Sequence, residues 1–150
     1  MKATMMITIF LAFVFTAAFS LARHESRLAD TKETPVVYVS MGDTGDKTRI
    51  DKDLYVTYDF NKKPSMGMVI VKVQVFNREG KKITGLAITG DSGMPSMRGA
   101  HDSGEMLFKL NKKGDYLLPV NIVMPGDWEI KVKFMKDKKV IFSGKIEFDV

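Results

Sequence analysis

From residue 35 onward, hydrophobic and polar residues alternate along most of the chain. Between residues 68 and 77, valines at every second position point one way, and Lys72 and Gln74 point the other. Successive side chains of a β-strand lie on opposite faces, so this period of two predicts strands with one buried face and one wet face. The same pattern predicts strands over residues 35–41, 54–60, 68–77, 83–89, 106–111, 116–124, 128–134 and 140–148.

Turn-forming residues separate these segments. Gly80, Gly114 and Pro125-Gly126 mark short turns, and residues 90–104 hold four glycines and one proline, which predicts an irregular loop. Eight short strands at this spacing favour an all-β, immunoglobulin-like two-sheet sandwich of about seven to eight strands, with a closed barrel as the alternative. The predicted interior includes Val71, Val73, Phe108, Trp128, Ile130 and Phe148.

The N-terminal segment has a different pattern. Lys2 precedes an uncharged apolar run of residues 5–22, and Ser20 and Ala22 are small residues at the positions that a signal peptidase reads. Residues 1–22 are therefore predicted to be a signal peptide, with an uncleaved membrane anchor as the alternative. Residues 23–34 are polar and predict a flexible spacer, and residues 35–150 form the predicted β-sandwich domain.

Composition narrows the classes of function. The chain has no cysteine, which excludes disulfides, thiolate metal sites and cysteine nucleophiles. Its net charge of +5 falls to +4 without residues 1–22, and its lysines mostly alternate with apolar residues, as on solvated strand faces. The sequence contains no cluster of basic residues with aromatic residues beside it, so nucleic-acid binding is not predicted. Insertion into a membrane is expected only for the N-terminal segment, if it is not cleaved. Weak electrostatic attraction of the basic domain to an anionic membrane surface remains an open alternative.

Catalytic machinery is not evident in the sequence. Gly90-Asp91-Ser92-Gly93 is similar to the surroundings of a serine-protease nucleophile, but a triad also needs a separate histidine oriented by a carboxylate. His101, Asp102 and Ser103 are sequence neighbours, and consecutive side chains rarely converge on one point. We interpret the GDSG segment as a turn and predict that the protein is not an enzyme.

The glycine-rich loop contains a candidate metal site. Met94, Met97 and His101 lie within eight residues of one another. Thioether sulfur is a soft, neutral donor suited to Cu(I), and imidazole can complete such a site without a thiolate. Methionine is also a common core filler. On that ground Met106 and Met124 are predicted to be core residues, whereas Met94 and Met97 lie in a loop where burial is less expected.

The segment from residue 63 to residue 134 resembles the YtkA-like/FixH-like family of small envelope β-sandwich domains. The resemblance rests on five short stretches and their spacing, namely Pro64-Ser65-Met66-Gly67, Val73-Gln74-Val75-Phe76-Asn77 with Gly80, Met94-Pro95-Ser96-Met97, Gly114-Asp115-Tyr116 and Met124-Pro125-Gly126-Asp127-Trp128-Glu129-Ile130. It implies a periplasmic, cell-envelope or secreted protein. It also implies copper handling, with Met94, Met97 and His101 as ligands.

Two functions follow as hypotheses. The first is an exported, non-enzymatic domain that binds or delivers Cu(I), with an envelope or membrane partner such as a copper acceptor or an oxidase under assembly. The second is a metal-independent, immunoglobulin-like interaction module that supports assembly of an envelope complex. Loss of Cu(I) binding on replacing Met94 and Met97 favours the first, and metal-independent capture of a specific partner favours the second.

Overall fold

A computed structural model describes residues 35–150 of the chain. These residues belong to one compact unit. The predicted signal segment, 1–22, and the predicted spacer, 23–34, lie outside the described residues. Within residues 35–150, no helix is long and apolar enough to cross a membrane.

The described chain folds into ten strands and one short 3-10 helix. In chain order they are β1 Val39–Ser40, β2 Thr48–Arg49, β3 Leu54–Phe60, β4 Gly67–Asn77, β5 Ala87–Gly93, the 3-10 helix Pro95–Met97, β6 Met106–Leu107, β7 Lys109–Leu110, β8 Tyr116–Ile122, β9 Asp127–Lys136 and β10 Lys139–Asp149. Four of the ten strands have only two residues, so six longer strands carry most of the pairing.

The strands form two five-stranded sheets, in the orders β1-β10-β9-β5-β6 and β2-β3-β4-β8-β7. All pairs are antiparallel except β1 with β10. Inward-facing side chains of both sheets fill one core, as the alternating burial along β4 of one sheet and β9 of the other shows. The predicted all-β two-sheet sandwich is confirmed.

Trp128 anchors the core between the sheets. It is 2% exposed, and its indole Nε1–H donates a hydrogen bond of 3.1 Å to the carbonyl oxygen of Met124. Val71, Val73, Phe108 and Ile130 are also buried, as predicted, while Phe148 is partly buried and packs against the core. A buried indole with its N–H satisfied retains its apolar contacts without an unpaired donor.

Strand β5 corrects two of the sequence predictions. The strand expected over 83–89 runs instead from Ala87 to Gly93, so the GDSG segment is part of a strand and not a turn. A Cβ at Gly90 would lie 2.7 Å from Cδ2 of Leu118 and 2.8 Å from Cε2 of Phe108. Gly90 therefore serves close packing between the sheets, and the irregular loop begins only after Gly93.

The segment 106–110 passes from one sheet to the other. Met106 pairs with Gly90 of β5, and Leu110 pairs with Tyr116 of β8. Phe108 is buried at the crossing point, whereas Met106 is 41% exposed. The prediction that Met106 is a core residue is therefore wrong, because the change of sheet breaks the alternation on which it relied.

The strand registers define two opposite ends of the sandwich. The upper end carries the segments 61–66, 94–105 and 123–126, which follow or precede Phe60, Gly93 and Ile122. The lower end carries the turns 51–53, 78–82, 111–115 and 136–139. Asn77 pairs with Leu54 and Lys136 with Lys139 at this lower end. The glycine-rich loop with the candidate ligands belongs to the upper end.

Candidate metal site

The three ligands predicted from the sequence have different environments. Met94 is 6% exposed and belongs to the core, where its Cε lies 3.0 Å from the position a Cβ would take at Gly126. Met97 is the last residue of the 3-10 helix and is 39% exposed. Met94 lies in the loop after β5, as expected, but the expectation that it is less buried there is wrong, because its side chain belongs to the core and lies against the 123–126 turn.

His101 lines a cleft of about 350 Å³ near the upper end of the sandwich. The other lining residues come from both sheets and from the loop, namely Met68, Ser92, Ser103, Met106, Pro119, Asn121 and Val123. The cleft thus brings one imidazole together with the side chains of two methionines. Met94 and Met97 are not among its lining residues.

The register of β4 and β8 explains how Met68 reaches the cleft. Val69 and Val71 face the core, so Met68 is on the outer face of β4, 54% exposed and paired with Asn121 of β8. Met68 is an even number of residues from Lys72 and Gln74, which the alternation in the sequence placed on the outer face of this strand. Its proximity to His101 depends on the long-range arrangement of the sheets and could not be derived from spacing.

Arg98 links the loop to the sheet beneath it. Its guanidinium makes ion pairs with Asp102 at 3.2 Å, with Asp91 of β5 at 3.7 Å and with Glu129 of β9. Burial alone would lower the pKa of Arg98, but the hydrogen bond and charge of Glu129, together with Asp102 and Asp91, outweigh burial and raise it. The positive charge of Arg98 is therefore paired with three carboxylates of the protein.

Backbone contacts hold the segment around His101 in place. The Gly99 N–H donates to Oδ2 of Asp102 at 2.9 Å, and the Ser103 N–H donates to the Ser92 carbonyl oxygen at 2.8 Å. In return, the Ser92 N–H donates to Oγ of Ser103 at 2.9 Å. His101 is thus set between residues fixed on both sides, which limits the conformations its backbone can adopt.

The donor set of the cleft is soft and neutral. Thioether sulfur and imidazole suit Cu(I), whereas hydroxyl and amide oxygens, as in Ser92, Ser103 and Asn121, suit harder ions. Within residues 35–150, no group of three or more His, Cys, Asp or Glu side chains could hold a metal ion. The arrangement fits a soft monovalent metal better than Zn²⁺ or Mg²⁺.

Comparison with known proteins identifies the family. The family model described as YtkA-like matches residues 48–133, which is more than half of the chain. The chain belongs to the YtkA-like family. The matched region of this YtkA-like protein runs from β2 into β9 and includes all eight residues that line the cleft.

This YtkA-like protein was also compared with curated proteins and with solved structures. No curated protein matches it significantly. Among solved structures, it is similar to FetP of uropathogenic E. coli strain F11, which was expressed recombinantly in the periplasm of E. coli BL21(DE3), with 14% sequence identity and a TM-score of 0.47. That similarity covers 71% of this chain and 93% of FetP.

Proposed function

We propose that this YtkA-like protein is exported and acts in the cell envelope as a non-enzymatic domain that binds Cu(I). The observation that carries the proposal is the cleft that His101, Met68 and Met106 line together. Membership of the YtkA-like family and the signal pattern of residues 1–22 support an envelope location. Copper in this proposal is cargo that the domain holds and releases.

The chemistry of the proposed ligands matches the needs of an exported copper carrier. The sequence has no cysteine, so Cu(I) cannot be held by thiolates here. Thioethers do not protonate in the physiological range and bind soft Cu(I) as neutral ligands. The neutral imidazole of His101 adds a third donor of intermediate softness. Two thioethers and one imidazole suit Cu(I) better than harder divalent ions, and the sequence offers no thiolate for Zn²⁺.

The exposure of the proposed ligands suits transfer. Met68 and Met106 are half exposed, so donor groups of an acceptor protein can approach the metal while it is still bound. A buried site would have to open first, which is slower than a ligand-by-ligand exchange. We therefore expect the partner to be an envelope copper acceptor or an oxidase under assembly.

A direct test is competition with a chromophoric Cu(I) chelator under anaerobic, reducing conditions. The wild-type protein is compared with Met68→Leu/Met106→Leu and with the matched control Met94→Leu/Met97→Leu. Leucine keeps roughly the volume and apolarity of methionine, so both variants should fold. We expect the first variant to lose at least about tenfold in affinity, equal to about 1.4 kcal/mol, and the control to retain wild-type affinity.

The other outcomes are equally decisive. If only the Met94/Met97 variant loses binding, copper is held by the loop that the sequence indicated and not by the cleft. If the wild-type protein does not compete, the copper function is wrong. His101→Ala should weaken binding in either copper case, while Zn²⁺ should not displace Cu(I).

A metal-independent interaction module is the second candidate, and one observation favours it. Val123, which lines the cleft, is 48% exposed, and Leu107, which follows the cleft residue Met106 in the chain, is 61% exposed. Contiguous exposed apolar surface commonly marks a protein contact. Capture of one specific envelope partner, unchanged by copper chelation and by Met68→Leu/Met106→Leu but lost on Leu107→Ser/Val123→Ser, would support this function instead.

A further inference from the structure

The net positive charge of the described domain is concentrated at the lower end. The turns 51–53, 78–82, 111–115 and 136–139 carry nine basic and five acidic side chains, a net charge of +4. The remaining described residues carry ten basic and ten acidic side chains, which cancel. Lysines that are spread along the sequence are therefore gathered by the fold into one basic end.

Several of these lysines are available to an external anion. Two of the nine basic side chains are already paired with carboxylates of the protein: Arg78 with Asp53 at 2.7 Å and Lys82 with Asp115 at 2.6 Å. Seven other lysines at this end form no ion pair within residues 35–150, namely Lys52, Lys81, Lys112, Lys113, Lys136, Lys138 and Lys139. All seven are exposed.

Exposed apolar side chains lie close to these lysines. Val140 follows Lys139 at the start of β10 and is 53% exposed. Val36 and Val37 precede β1, which runs parallel to β10, and both are more than half exposed. Because β10 runs upward from Lys139, the chain approaches β1 from the direction of the basic end. Residues 35–38 thus add exposed apolar surface on the side of the domain from which the chain enters β1.

We propose that this basic end docks against the anionic headgroups of a lipid bilayer. Exposed lysines spread over four turns match a surface of mobile, delocalised negative charge, and the neighbouring valines can enter the headgroup region. An acidic protein ligand would need fixed partners for the lysines but would leave the valines unexplained. The proposal depends on no metal and stands apart from the copper function.

Docking in this way would also orient the molecule. Strand β9 has ten residues and spans about 30 Å between the two ends. With the basic end on the bilayer, the cleft with His101 would face away from the membrane, toward partners in the aqueous envelope. This one consequence rests on the proposed function.

The test is co-sedimentation of residues 35–150, a compact unit with its own core, with vesicles of phosphatidylcholine containing one-third phosphatidylglycerol. Lys138→Gln/Lys139→Gln is compared with Lys62→Gln/Lys63→Gln, which changes the net charge equally at the upper end. At about 0.05 M salt, each lysine at the surface contributes about fivefold to partitioning, so the first variant should lose about 25-fold. The control should change by less than about twofold, since screening acts within roughly 10–15 Å.

Three results would overturn the proposal. Binding to pure phosphatidylcholine vesicles that equals binding to the anionic ones would exclude a headgroup-charge mechanism. Equal losses in the two variants would show a general effect of net charge and no specific end. Tighter binding to soluble polyglutamate than to anionic vesicles would assign the lysines to an acidic polypeptide. Val36→Ser/Val37→Ser should weaken vesicle binding and leave polyglutamate binding unchanged.

Discussion

Asp115 is the best-connected buried carboxylate of the domain. It accepts hydrogen bonds from Lys82 at 2.6 Å, from Gln74 at 2.6 Å and from the Asn111 amide at 3.2 Å. Burial alone would raise its pKa, but these three donors outweigh burial and lower the pKa to about 2. The carboxylate therefore links the 111–115 turn to β4 and to the 78–82 turn, and it does so in its charged form.

Asp115→Asn is expected to destabilise the domain in a pH-dependent way. The pKa of about 2 lies below the unfolded value of 3.8, so folding favours the ionised form. The stabilisation is complete above the unfolded pKa and is lost as the pH falls through the folded pKa. At neutral pH the variant should lose about 2 kcal/mol, and most of this difference should be gone at pH 2.

Urea unfolding at a series of pH values measures this difference. Asp127→Asn, at an exposed position that opens β9, is the matched control and should change little at any pH. A gap between wild type and Asp115→Asn that stays constant from pH 7 to pH 2 would contradict the assigned role of the charge.

Trp128→Ala tests the core anchor. The side chain is 2% exposed and packs between the sheets, so its removal leaves a cavity that costs about 3–5 kcal/mol of unfolding free energy. Trp128→Phe keeps an aromatic ring but loses the hydrogen bond to Met124. Its free energy of unfolding should therefore lie between those of wild type and Trp128→Ala. Thermal or urea unfolding gives the order, and an alanine variant as stable as wild type would rule out a core role.

At the scale of single residues, alternation predicted the core well and failed where the chain changes direction. Trp128, Ile130 and the valines of β4 are buried as expected, because they lie in long, straight strands. Met94 and Met106 were assigned the wrong way round. Met94 follows the end of β5 and turns inward, and Met106 precedes the point where the chain changes sheet. Neither event has a local sequence signal.

At the scale of elements, the two-residue turn between β9 and β10 has an unusual composition. Asp137 and Lys138 have φ of 50° and 64°, in the left-handed region that favours glycine. Lys136 pairs with Lys139 across the turn, which makes it a tight hairpin of the type that usually contains Asn-Gly. A lysine at this conformation costs stability, and it adds a charge to the basic end.

Lys138→Gly is expected to stabilise the domain by about 0.5–1 kcal/mol. Glycine relieves the strained left-handed conformation, a gain that outweighs the added entropy of the unfolded chain. Lys139→Gly is the matched control, because it removes the same charge from a strand position and should destabilise by a similar amount. Unfolding curves of the three proteins compare them directly, and a destabilised Lys138→Gly would refute the strain argument.

The predicted elements agree with the structure where strands are long and hydrophobic. Residues 54–60 match β3, and 68–77 match β4 except for one added residue. The strand predicted over 83–89 ended too early, because Gly90 and Gly93 are typical turn residues and were assigned to a loop. Here, however, Gly90 makes room for Leu118 and Phe108, and Gly93 makes room for Asp102. Contacts between distant segments decide these positions, so a local reading of glycine misplaces the strand.

At the scale of the whole molecule, the fold separates two surfaces that the sequence interleaves. Met68, Met106 and His101 line one cleft near the upper end, and the excess of lysines gathers at the lower end. The candidate cleft could not be derived from the spacing of Met94, Met97 and His101, since Met68 is more than thirty residues from His101 in the chain. The family, in contrast, could be predicted, because its short stretches remain in order along the chain.

The processing of the N-terminal segment is the last prediction, and it determines how the basic end meets a membrane. Ser20 and Ala22 are small residues after an apolar run, so we expect cleavage after Ala22 and a mature chain that begins at Arg23. N-terminal sequencing of the protein from the envelope fraction measures this. Ser20→Leu/Ala22→Leu should block cleavage, whereas Leu21→Ala, between the two positions, should not.

Either result has a consequence for docking. A cleaved protein would depend on its lysines and exposed valines for membrane contact, so Lys138→Gln/Lys139→Gln should release it from the membrane fraction at moderate salt. A chain that still begins at Met1 would contradict the signal peptide and support the anchor. The same substitutions would then leave it in the membrane fraction, because an apolar anchor holds far more tightly than a few lysines do. Fractionation of the two proteins at several salt concentrations therefore separates attachment by charge from attachment by the N-terminal segment.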